Sequence, residues 1–206
     1  GNISATGFFW ANGTPFVSSS YGNTNVKEYL ESLSNVNIGI GTGINQGARS
    51  IAIGEFASSE SINTDTIAIG GTGVYGNTYG GEGYAAGGHN QGYYAVAIGT
   101  GAGAYNQSDE AVAIGDLAGT RSQGPNAVAI GVESGQTNQS QNAVAIGSGA
   151  GGNYQGDSAL AIGVSSAITN QGSYAIALGA SAGQSIQGQY AVAIGNWSGS
   201  YDQGTY

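Results

Sequence analysis

A five-residue run of alternating character, Ala-Val-Ala-Ile-Gly or a close variant, ends at Gly99, Gly115, Gly131, Gly147, Gly163, Gly179 and Gly195. The spacing is sixteen residues each time. Upstream the same signal ends at Gly39, Gly54 and Gly70. A further register falls at Gly83, where Tyr84-Ala85-Ala86-Gly87 and Asn90-Gln91-Gly92 match the downstream half of the repeat. This gives eleven coils, one residue short between Gly39 and Gly54 and three short between Gly70 and Gly83. A fixed short period in which each unit holds one apolar run predicts stacked coils, because no single unit can bury its own face. Alternation with period two within the run predicts strand over helix. The fold class expected is all-β: a parallel β-solenoid of about sixteen-residue coils.

One face of each predicted strand carries β-branched and aliphatic residues, Val96 and Ile98 through Val192 and Ile194, as a packed pleated surface prefers. The Gly that follows permits a sharp corner. Three residues later comes a small residue (Ala86, Ala102, Ala118, Ser134, Ala150, Ser166, Ala182 or Ser198), expected inside the coil. Eight residues past the corner stands Gln, at 91, 107, 123, 139, 155, 171, 187 and 203. Stacking sets these amides about 4.8 Å apart. Gln91, Gln107, Gln123, Gln139, Gln155, Gln171, Gln187 and Gln203 then form an inward ladder of hydrogen bonds, or each caps its own turn.

The opposite strand face is Ala at 95, 97 and every equivalent position through 191 and 193. A solvent-facing strand would scatter polar residues, so this face reads as a flat surface pressed against something else. Two large aliphatics per coil are also few for a self-sufficient core. Side-by-side packing of copies resolves both points, and closed cyclic symmetry makes a homo-oligomer the expectation.

Composition narrows the function. Only 7% of the 206 residues are charged, and three cations face twelve carboxylates for a net charge of −9. Such a surface does not neutralise phosphates, which argues against nucleic-acid partners, and anionic membranes repel it. No apolar run reaches the roughly 18 residues of a membrane helix, so no membrane insertion is expected. The absence of Cys removes disulfides and thiolate chemistry.

Candidate catalytic patterns fail on their surroundings. Gly179-Ala-Ser181-Ala-Gly183 has the form of a nucleophile elbow, but Ser181 occupies the place of Gly101, Leu117, Glu133 and Trp197 in other coils, and the one His, His89, lies on another coil. Asp109 and Glu110 are neighbours expected on opposite strand faces, not the facing pair a glycosidase needs. The remaining carboxylates occupy scattered repeat positions, unlike calcium-binding solenoids. No enzyme activity, cofactor or metal is expected. The candidates for receptor contact are aromatic: Tyr75, Tyr79, Tyr84, His89, Tyr93 and Tyr94 in an irregular Tyr- and Gly-rich insert at 71–94, and Trp197. Such residues suit contact with a host-surface protein or glycan; the plainer account of the irregularity is a tolerated deletion.

The unit Ala-Val-Ala-Ile-Gly-x-x-Ala/Ser-Gly resembles the head repeat of YadA-like trimeric autotransporter adhesins over residues 35–206. The resemblance implies a left-handed parallel β-roll and a homotrimer. The period here is longer than in that family. Gly1–Phe16 and Asn23–Leu33 resemble short modules of marine phage and large-virus fibre proteins. Read from its residues, the 1–34 segment is a connector or cap: a strand over Ile3–Trp10, a turn at Asn12-Gly13 and a short helix with Val26, Tyr29, Leu30 and Leu33 on one face. The expectation is a structural trimeric fibre segment of a virion, displayed at the virion or cell surface, with host attachment as a further role. The alternatives are the head of a bacterial trimeric autotransporter adhesin and a polysaccharide-degrading tail spike.

Overall fold

A computed structural model describes residues 35–39, 47–58, 63–71 and 84–205. The strand, turn and helix expected within 1–34 lie outside the described residues, as do Tyr75 and Tyr79. The unit Asn35–Tyr206 is a two-sheet parallel β-solenoid. The first sheet stacks ten three-residue strands: Val36–Ile38, Ile51–Ile53, Ile67–Ile69, Val96–Ile98, Val112–Ile114, Val128–Ile130, Val144–Ile146, Leu160–Ile162, Ile176–Leu178 and Val192–Ile194. The second stacks eight: His89–Gln91, Tyr105–Gln107, Arg121–Gln123, Thr137–Gln139, Asn153–Gln155, Thr169–Gln171, Ser185–Gln187 and Tyr201–Gln203. All pairings are parallel and in register, so that Val112 lies on Val128 and Gln123 on Gln139. The sequence pattern displays the first strand of each coil and hides the second, whose middle residue has positive φ (Asn106, 55°; Tyr154, 59°) and breaks the alternation.

The two strand faces are the reverse of the expectation. Ala97, Ala113, Ala129 and their equivalents are completely buried inside the coil, as are Ala95, Ala111 and Ala127 in the preceding position. The aliphatics point outward: Ile146 is 36% exposed and Ile194 62%. The reason is the Gln of the second strand. Gln107 crosses the interior and donates through Nε2 to the carbonyls of Val96 at 2.8 Å and Ala111 at 3.2 Å. An interior that holds an amide of this length between sheets leaves room only for methyl groups opposite. It also sets the Gly of the corner: a Cβ on Gly103 would lie 2.5 Å from Gln107 Oε1. The small residues Ala86, Ala102, Ala118, Ser134, Ala150, Ser166 and Ala182 are buried inside the coil, as their size suggests.

The coil count also changes. Ile67–Ile69 pairs directly with Val96–Ile98, Ile67 on Val96, a separation of twenty-nine positions where sixteen is the rule. The two strands are immediate neighbours in the sheet, so the expected eleventh coil is not part of it. The irregularity is an insertion of thirteen residues after the corner Gly70, not a shortened coil. The downstream half resumes at Tyr84, and Ser58 donates its backbone N–H to the carbonyl of Ala86.

Candidate functional site

The Gln file is the most regular polar feature of the coil. Nε2 of Gln107 donates to Oε1 of Gln123 at 3.2 Å, and the same bond runs from Gln123 to Gln139, Gln139 to Gln155, Gln155 to Gln171 and Gln171 to Gln187 at 3.1–3.2 Å. Gln91 donates to the carbonyls of Ile67 and Ala95, and Gln203 to that of Val192. Apart from Gln203 at the last coil, these side chains are buried. Each amide also ties its strand to the one facing it, so the file acts on the scaffold and offers nothing to a ligand.

The outer surface of the second sheet differs from coil to coil. His89 and Tyr105, paired in register, stack with ring centroids 4.7 Å apart and planes within 7°. Tyr84, at the preceding corner, meets Tyr105 edge-on at 5.6 Å. The Arg121 guanidinium lies 5.7 Å from the centroid of the Tyr84 ring and donates a hydrogen bond to its hydroxyl. Tyr84 and His89 thus come together, along with Tyr105 and Arg121. Membership of the last two is legible only once the second strand is known to repeat.

Tyr93 and Tyr94 lie at the other bend of the coil, in the turn leading back to the first sheet. The Tyr93 N–H donates to Asp109 Oδ1 at 2.9 Å. Tyr94 shares its position in the stack with Arg49 and Asp65, whose side chains form a two-pronged ion pair, Nε to Oδ1 and Nη2 to Oδ2 at 2.6 Å. An open cleft of about 400 Å³ lies on the same coils. Asn90, Asn106, Ser108, Asp109 and Pro125 line it, and Asn90 Nδ2 donates to Asn106 Oδ1 at 3.0 Å.

Trp197, 55% exposed, stands at the corner of the last complete coil, apart in sequence and stack from Tyr84, His89, Tyr93 and Tyr94. Ser181 holds the same corner position one coil earlier, six strands along the sheet from the coil that carries His89, and Asp109 and Glu110 share one turn. Among the described residues no group of three His, Cys, Asp or Glu side chains is placed to hold a metal ion.

The YadA head domain repeat matches residues 91–118 in two copies. The matched span contains the second strands at Gln91 and Tyr105–Gln107, the corner at Gly99–Gly103 and two strands of the first sheet. No curated protein and no solved structure matches the chain.

Proposed function

We propose that the chain is a segment of a homotrimeric fibre displayed outside a cell or particle, in which the solenoid is a rigid rod and contact with a host is made by its irregular outer surface. The observation that carries this is the outward aliphatic face of the first sheet. All twenty residues in its two outer files are Val, Ile or Leu. Ten strands at about 4.8 Å make a strip roughly 43 Å long, of the size at which exposed apolar patches mark interaction surfaces. The same repeated face on every copy suits self-association with cyclic symmetry. The match of residues 91–118 to a repeat from trimeric adhesin heads points the same way. The interface thus uses the aliphatic files, since the Ala files lie inside.

Two carriers have specific support. The repeat match favours a bacterial adhesin head, and the resemblance of Gly1–Phe16 to viral fibre modules favours a virion. Light scattering on the purified chain should give three times 20.3 kDa. A variant carrying Ile146→Glu and Ile162→Glu, both on the outer strip, should be monomeric with its β-structure retained. A wild-type chain that stays monomeric at micromolar concentration would rule the trimer out.

A further inference from the structure

Four successive strands of the second sheet are small and polar in the outer file, with Thr137, Asn153, Thr169 and Ser185 in the position of His89 and Tyr105. The coils from Tyr84 to Asn126 depart from that pattern. They carry together the Tyr84–Tyr105–His89 ring cluster, an exposed Tyr93, and the cleft. One run of chain, His89-Asn90-Gln91-Gly92-Tyr93, contains two residues that line the cleft, Asn90 and Gly92, and an aromatic ring next to each. Within it Gln91 and Gly92 are buried, His89 is half-buried, and Asn90 and Tyr93 are exposed.

The chemistry of the cleft is that of side chains able both to give and to take hydrogen bonds. The bond from Asn90 to Asn106 uses one amide hydrogen and one oxygen lone pair. Asn90 Oδ1 and the Asn106 amino group retain capacity for partners. Asp109 gives Oδ1 to the Tyr93 backbone and keeps Oδ2, and the Ser108 hydroxyl can donate or accept. A ligand that matches this has many hydroxyls, each both donor and acceptor, and an apolar face to lie against an aromatic ring. Pyranose sugars have both. The local charge selects among them: Asp109 lines the cleft, the chain carries −9, and Arg121 is already engaged by the Tyr84 hydroxyl and ring. We infer that the cleft formed by Asn90, Asn106, Ser108 and Asp109, with His89, Tyr105 and Tyr93 each next in sequence to a residue that lines it, is a binding site for neutral glycans. This rests on the fibre reading, of which it names the contact site and ligand class.

The full 206-residue chain is mixed with neutral tetrasaccharides of glucose, mannose, galactose and N-acetylglucosamine, and with sialyllactose as the anionic counterpart. Binding is read by saturation-transfer NMR and titration calorimetry. Transfer to ring protons of at least one neutral sugar is expected, with weaker or no transfer to sialyllactose. Asn106→Gly suits the backbone at that position, where φ is 55°, so it removes the amide without disturbing the coil. It should weaken binding at least tenfold with the melting temperature and oligomer mass unchanged, and Tyr105→Ala should do the same to binding. Absence of transfer to every neutral sugar, equal affinity in Asn106→Gly, or preference for sialyllactose would overturn the assignment. A trimer that binds no sugar sinks this site alone, whereas a monomer sinks the fibre reading.

Discussion

Ile186 is the residue least suited to its backbone. It sits at φ 53° in the middle of Ser185–Gln187, in a position that Asn fills in four of the eight equivalent strands, at Asn90, Asn106, Asn138 and Asn170. The left-handed region brings Cβ against the following carbonyl and costs roughly 1–2 kcal/mol for ordinary residues, less for Asn; a β-branched residue there is rarer still. At 53% exposure Ile186 recovers little by burial. Ile186→Asn should therefore stabilise the fold by about 1 kcal/mol, seen as a higher denaturant midpoint at unchanged slope. A lower midpoint would mean that the isoleucine makes contacts between copies. The recurring Asn was visible in the sequence as a repeat, yet its meaning was not, because Asn serves turns, caps and left-handed positions alike. The corner Gly was more legible. A Cβ on Gly99 would lie 2.5 Å from the carbonyl oxygen of Gly115 directly above it, so each corner excludes side chains from the next.

At the scale of the element, the informative error concerns the two faces of the first-sheet strand. Size and hydrophobicity favour burying Val and Ile over Ala, which makes the aliphatics the expected packed face. What decides the outcome is the volume of Gln arriving from a strand that the period-two pattern does not reveal. Both columns were plain in the sequence; that they share one interior was not. The Gln file then makes a testable unit. Gln139 donates to Val128, Ala143 and Gln155 and accepts from Gln123. Gln139→Leu keeps most of the volume but leaves the buried Oε1 of Gln155 unpartnered, which should cost about 1–3 kcal/mol per chain. Gln203, at the last coil, donates to Val192 in an exposed bond, and Gln203→Leu should cost less than half as much. Chemical denaturation of the two variants compares them directly. Equal losses would show that the amides act one by one and that the column adds nothing.

Over the whole molecule, the solenoid treats the irregular segment as an addition to a coil that is otherwise intact. Period, parallel stacking and all-β class were readable from the spacing of the Gly-terminated runs. The location of the irregularity was readable too, but its sign was not, because Gly70 and Gly83 are both followed by residues that fit a corner and the count alone does not separate a short coil from a long one. Strand pairing separates them: Ile67 on Val96 places Gly70 and Gly99 in the same stack. Removing residues 71–83 joins Gly70 to Tyr84-Ala85-Ala86-Gly87, in phase with Gly99-Thr100-Gly101-Ala102-Gly103. The shortened coil has the usual sixteen residues, and the entropy of closing a longer loop is no longer lost. The deletion variant should form the same oligomer, with a melting temperature no more than about 2 °C below that of the parent, a shift that corresponds to under about 1 kcal/mol for a chain of this size. It should also keep the Tyr84–Tyr105–His89 cluster and the neighbouring cleft, and with them sugar binding, because every residue of that surface lies downstream of the cut. A variant that fails to fold would show that the inserted residues belong to the stack; one that folds but no longer binds would place part of the contact surface on the insert.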